Sequence, residues 1–268
     1  SALFNLLIIP SLAVLMLFAL GRNKRVVLKK QILLREGFFL LLSQILFLIF
    51  LFRGELVARH GFFLVLVYLL YLGLLFVITR SRRITDPGFV TPRDKKKHSK
   101  LVQVLTLDIT HAVLNGREIT PARAWFLLLL STMVMTFGTW LLVYATDSYG
   151  HQANIPLIFV AVVLSAAATS VPDTIISIRD SRKGNFDDAV SNALGSNIFD
   201  IAFALGLPVF LYNIFYGDSI LIADNELTFA KEVWVFLMLA TILTMLMMMI
   251  GKYFTRVKAV ILLAIYLL

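Results

Sequence analysis

The sequence predicts an all-α polytopic membrane protein, and three features of the chain predict it. The first is composition: 59% of the 268 residues are hydrophobic, only 15% are charged, and the mean hydropathy is +0.87. Soluble domains carry about 25% charged residues, and a single core of this size cannot hide so much apolar surface. The second is the recurrence of apolar runs long enough to cross a bilayer, which takes about 20 residues. The third is the one-sided placement of Lys and Arg between those runs, the pattern typical of cytoplasmic loops. With no Cys in the chain, a thiolate metal site, a nucleophilic Cys and a disulfide scaffold are excluded. The formal charge of +9 then reads as basic loops, with no nucleic acid as partner.

Taken in order, about eight runs qualify as spans: 3–20, 31–52, 61–79, 124–145, 155–178, 188–212, 230–250 and 255–268. The connections test them. Arg22, Lys24, Arg25, Lys29, Lys30 and Arg35 fall in the first connection, and ten basic residues fall between Arg80 and Arg123. Arg179, Arg182 and Lys183 follow at one later turn, and Lys252, Arg256 and Lys258 at another. The alternate connections hold only Arg53, Arg59 and Lys231. Span map and charge bias agree, which makes the basic side cytoplasmic; a plasma or inner membrane is expected ahead of an organelle, though the charge pattern itself does not select the membrane.

The chain divides into residues 1–80, a basic loop over 81–123, and residues 124–268. The loop carries Arg93 and Lys95–Lys97, then Leu101–Leu114 with apolar residues near helical spacing. A solvated linker explains it; so does an interfacial helix on anionic lipid, or a regulatory segment.

Ionisable groups inside spans are costly and mark function by default. Asp173 lies in Ala168-Thr169-Ser170-Val171-Pro172-Asp173, and Asp200 in Gly195-Ser196-Asn197-Ile198-Phe199-Asp200. Thr169, Ser170, Asp173 and Ser177 recur on one helical face, and Asn192, Ser196 and Asp200 are spaced four apart. Pro172 lacks an N–H, so a broken helix with freed carbonyls near Ala168 is expected. Carboxylates, hydroxyls and carbonyls are hard oxygen ligands, suited to Ca2+ and Na+ rather than zinc or copper. A plain kink would also explain Pro172, and Ser or Thr often bonds its own backbone. Asp187 and Asp188, after Gly184-Asn185, read as cap and dipole partners at a helix start.

The opening residues Ser1-Ala2-Leu3-Phe4-Asn5 align with Ser196-Asn197-Ile198-Phe199-Asp200 at an offset of 195, and Leu12 and Val14 then meet Leu207 and Val209. The two copies enter the membrane from opposite sides, the arrangement of transporters with inverted repeats. Ala168–Asp173, with Gly184, Asp187, Asn192 and Gly195–Asp200, resembles the second alpha-repeat of the cation/calcium exchanger superfamily, close to its sodium/calcium and potassium-dependent branches. Ser1–Asn5 resembles the end of the first alpha-repeat.

The resemblance implies a ten-helix inverted-repeat antiporter whose second repeat occupies about 155–212. It makes Asp173 a ligand for Ca2+ and Na+, Thr169 a carbonyl ligand, and Ser170 and Ser196 hydroxyl ligands. Asp200 is then the acid of the following helix, Ser1 and Asn5 are its first-repeat counterparts, and Ala166 supplies an outer carbonyl. Many members have Gly at the position of Ala168, and many prokaryotic ones have Glu at that of Asp173. The Asp at both acidic positions resembles potassium-dependent members and leaves the K+ requirement open.

The expected activity is exchange of Na+ for Ca2+ by alternating access, with no cofactor and no enzyme chemistry; the ions themselves and the lipid bilayer are the partners. The rival readings are an intramembrane aspartyl protease, which lacks its Gly-x-Gly-Asp motif here, and a cation channel. The chain starts with Ser inside a repeat motif, so two further helices upstream are expected to complete the site.

Overall fold

A computed structural model describes residues 1–19, 26–85, 120–153, 166–182, 184–222, 224–251 and 253–267. The chain forms two compact units, Ser1–Ser81 with Ala166–Leu268, and Arg82–Ser165. The first unit opens with a π-helical segment π1 (Phe4–Ile8), continued by α1 (Ile9–Ala19), α2 (Lys30–Leu51), a short strand β1 (Glu55–Leu56) and α3 (Ala58–Thr85). After the second unit it resumes with α5 (Ala166–Arg182), α6 (Phe186–Ile198), a second π segment π2 (Phe199–Ala204) and α7 (Gly206–Tyr216). Strand β2 (Ile220–Leu221), α8 (Asp224–Met249) and α9 (Arg256–Leu267) complete it. In the second unit the described element is α4 (Pro121–Ala153).

Among the described residues, five helical stretches are long and apolar enough to cross a membrane: Lys30–Leu51, Ala58–Arg80, Ala122–Ala145, Phe186–Tyr216 and Leu227–Met249. Of the other three runs read from the sequence, the described parts are Phe4–Ala19, α5 and α9. The first eleven residues of the predicted span 155–178 lie outside the described residues, and the helix runs on to Arg182. Helix α3 runs past its apolar span to Thr85, and α4 begins at Pro121, just before its own. The segment Leu101–Leu114 and the basic run Arg93–Lys97 lie outside the described residues. The β1–β2 ladder, pairing Glu55 with Leu221 and Leu56 with Ile220, was not expected from the sequence. It leaves the fold all-α in character.

Apolar side chains cover the outside as well as the core. On α4, Trp125, Met133, Phe137 and Trp140 are exposed, as suits a lipid-facing helix. In a bilayer, lipid is as apolar as Leu, so helices are held by close packing and polar contacts rather than by burial from water. The core of the first unit joins Leu6, Leu7 and Val14 to Leu33 and Leu40 of α2 and to Leu194 and Ile198 of α6. Gly61 of α3 and Gly206 of α7 meet backbone to backbone: a Cβ on Gly61 would lie 2.5 Å from the Gly206 carbonyl oxygen. Only glycine permits that approach.

Candidate functional site

The site is built by a tight helical hairpin and a repeat. Gly184 adopts φ +89° between α5 and α6. Its N–H bonds the Ser181 carbonyl (2.9 Å), while the Asn185 N–H bonds that of Asp180 (3.0 Å). This left-handed closure satisfies orphan carbonyls at the end of α5 and folds α6 back along it. Asp173 is thereby set opposite Ser196, whose hydroxyl donates to Asp173 Oδ2 at 2.6 Å. One turn away, the Asn192 amide donates to the Asp173 carbonyl (3.3 Å) and to Ser177 Oγ (3.1 Å).

Helix α5 runs unbroken through Pro172, so the expected break is corrected. A single missing N–H costs one bond in the ladder, and α5 absorbs it. The Thr174 hydroxyl adds a bond to the Ser170 carbonyl (2.8 Å). The capping expectation is also corrected in part. Asn185 is the N-cap of α6 and makes no side-chain cap bond, while Asp187 and Asp188 lie in the first turn. The Asp187 carboxylate instead accepts the Lys29 N–H at 2.9 Å and pairs with its ammonium at 3.4 Å, tying the starts of α2 and α6 together.

The repeat at offset 195 is visible in three dimensions. Ser1 Oγ donates to Asp200 Oδ2 (2.9 Å), and the Asn5 amide donates to Ser196 Oγ (3.5 Å). Exchanging each residue for its repeat partner turns one contact into the other. The Asn197 amide donates to the Ala2 carbonyl (2.9 Å), a contact between repeat mates, as expected on a two-fold axis. Partner numbers fall on one segment as they rise on the other, so the two cross antiparallel. Both repeats also widen into a π segment at the equivalent place, Phe4–Ile8 and Phe199–Ala204. Such π turns favour functional sites.

Of the eight predicted residues, Ser1, Asn5, Asp173, Ser196 and Asp200 are joined by these bonds. Ser170, nearly one turn before Asp173, is buried. Thr169 is exposed, and Ala166 is the first residue of α5, placed by its backbone. Two of the predicted ligands hold buried oxygens with no hydrogen-bond partner among the described residues, Ser170 Oγ and Asn5 Oδ1, and Asn197 Oδ1 is a third. Such a group costs about 1–3 kcal/mol, and a cation or water would relieve it. No group of three or more His, Cys, Asp or Glu side chains converges among the described residues. The site therefore offers two carboxylates amid hydroxyl and amide oxygens, a hard-oxygen set. Asn197 and the buried Glu36 were missed in the sequence. Asn197 was marked by its alignment with Ala2, and Glu36 by its place inside an apolar run.

The fold and site define a helical membrane protein with an intramembrane oxygen-lined centre between inverted repeats. The chain belongs to the sodium/calcium exchanger protein family, whose profile matches residues 123–268. It is 40% identical over 101 residues to sodium/potassium/calcium exchanger 1 of Gallus gallus, covering 38% of this chain and 15% of that protein. It is 39% identical over 90 residues to sodium/potassium/calcium exchanger 5 of Homo sapiens, covering 34% of this chain and 18% of the relative. The matches thus span less than a fifth of these relatives' own length. The crystal structure of an H+/Ca2+ exchanger, CAX, superposes with a TM-score of 0.59 at 16% identity, covering 99% of this chain and 66% of that one. That likeness concerns the fold. None of these proteins is described as a protease.

Proposed function

We propose that this chain carries the cation-translocating centre of an antiporter that exchanges Na+ for Ca2+ by alternating access. One observation carries the reading: residues of two inverted repeats are bonded reciprocally around Asp173 and Asp200. Ca2+ and Na+ compete for the same hard oxygens, so occupancy by one excludes the other. That competition couples the two fluxes without covalent chemistry. Asp173 and Ser196 form the divalent centre, with Ser170, Thr169 and Ala166 toward one side. Asp200, held by Ser1, forms a monovalent-cation subsite with Asn5. The names of the sodium/potassium/calcium relatives favour a role for K+ at Asp200. Ca2+ takes six to eight oxygens, so the divalent centre needs ligands beyond these side chains. The basic side faces the cytoplasm.

The test is uptake of radiolabelled Ca2+ by the full-length protein in liposomes, driven by a Na+ gradient with and without K+, and separately by a pH gradient. Uptake that follows the Na+ gradient supports the reading. Uptake driven by the pH gradient alone replaces Na+ with H+, and conduction without any counter-ion replaces the antiporter with a channel.

A further inference from the structure

Glu36 is a carboxylate with no exposed surface in the middle of the packed unit, and the cation site does not use it. It sits on α2, six residues into the helix, with both oxygens occupied. Oε1 accepts the Ser191 hydroxyl at 2.7 Å and the Arg35 Nε–H at 3.1 Å, and also pairs with Arg35 Nη2. Oε2 accepts the Tyr71 hydroxyl at 2.6 Å. Three elements, α2, α3 and α6, meet at one side chain. A cation ligand needs lone pairs turned toward an open cavity, and these are committed to an adjacent guanidinium and two hydroxyls. Stability alone is also a poor explanation, because a buried ion pair roughly breaks even against apolar packing.

What the cluster grips is informative. Ser191 and Gly195 lie one turn apart on α6, and both face this cluster: a Cβ on Gly195 would lie 3.1 Å from the Tyr71 hydroxyl oxygen. Asn192 and Ser196 are the next residues along, about 100° round the helix, and these face Asp173 and Ser177. Helix α6 therefore has two adjoining stripes, one held by Glu36 and Tyr71, the other supplying the site. A rotation of α6 by about 20° moves an oxygen about 5 Å off its axis by roughly 1.7 Å. Ca2+–oxygen distances vary by only about 0.3 Å.

We propose that Glu36, through Ser191 and Tyr71, is a positioning residue that fixes the rotation of α6 and so keeps Asn192 and Ser196 aimed at Asp173. The proposal rests on the cation-site reading above, and its test separates the two. In the full-length protein, Ser191→Ala deletes one oxygen from the clamp, Tyr71→Phe deletes another, and Ser191→Thr keeps the hydroxyl. Glu36→Gln alters the whole clamp. Losing one such bond, worth about 1 kcal/mol, should raise the half-saturating Ca2+ concentration roughly fivefold with Ser191→Ala or Tyr71→Phe. Ser191→Thr should restore it, and the amount of folded protein should not change. A second readout does not depend on transport: the rate of disulfide formation between cysteines placed by Ser177→Cys and Asn192→Cys. Each clamp variant should slow it. Lower protein yield with unchanged half-saturation and unchanged cross-linking would make Glu36 merely structural and overturn the proposal. If the wild type moves no Ca2+ yet clamp variants slow the cross-link, the transport reading fails while the positioning role stands.

Discussion

At the scale of single residues, the two intramembrane carboxylates have different neighbours and should fail differently. Asp173 is stapled to the second-repeat helix by Ser196, beside the orphaned oxygen of Ser170. A unit charge at about 4 Å in a medium of effective dielectric 20 is worth about 4 kcal/mol, and a divalent ion doubles that. Losing even a third of it weakens binding about a hundredfold. Asp173→Asn keeps the size and an acceptor for Ser196, so exchange should fall by about that factor with folding intact, read as Ca2+ uptake against the amount of monodisperse protein. Wild-type uptake would remove Asp173 from the site. Asp200 instead accepts from Ser1 across the repeat axis. Asp200→Asn should shift the Na+ and K+ concentrations for half-maximal exchange more than that for Ca2+. Equal monovalent dependence in mutant and wild type would exclude it. Both acids were legible because charge inside an apolar run is conspicuous. Glu36 is more deeply buried than either, but it follows Arg35 near the start of an apolar run, and an acid beside a base reads as surface in one dimension.

At the scale of elements, the paired π segments and the glycine contact decide how the helices meet. Gly61 and Gly206 let α3 and α7 touch through their backbones, directly after π2. Gly61→Ala puts a methyl group into the Gly206 carbonyl and the Phe210 N–H. Overpacking of this kind costs about 1–3 kcal/mol, so the mutant should unfold in detergent at a lower temperature. Gly73→Ala is the control, because nothing lies within 4 Å of a Cβ there. Equal midpoints for the two would mean that the contact does not hold the helices. The repeat was readable as five aligned residues, yet its widened turns were not. A π turn depends on which carbonyl each N–H selects, and one polar residue in each segment, Asn5 in Phe4–Ile8 and Asp200 in Phe199–Ala204, marks a ligand without telling a π turn from an α turn. Helices α3 and α4 run past their apolar spans for a related reason: apolarity marks where lipid stops, whereas hydrogen bonding carries the helix further. Pro172 was over-read, since one absent donor is a local loss inside a helix held by Ser196 and Asn192.

At the scale of the whole molecule, the contacts between helix ends test the topology that the basic residues imply. The β1–β2 ladder joins the segment after α2 to the segment after α7, two connections poor in Lys and Arg. Val26 bridges Phe254, Lys29 pairs with Asp187, and Arg256 reaches the Phe18 carbonyl at 3.3 Å, all among connections rich in them. Every one of these contacts joins ends assigned to the same side, so the spans alternate as the charge count requires. Geometry alone cannot name the side, because a mirror assignment keeps each contact. The proposed cytoplasmic side rests on the charge bias: positively charged loops tend to be retained in the cytoplasm, and the stretch from Arg80 to Arg123 is the most basic in the chain. A protease site inserted at Lys95–Lys97 should therefore be cut in inside-out vesicles and spared in intact cells. Cutting from outside in intact cells, with the inside-out vesicles protected, would invert the map.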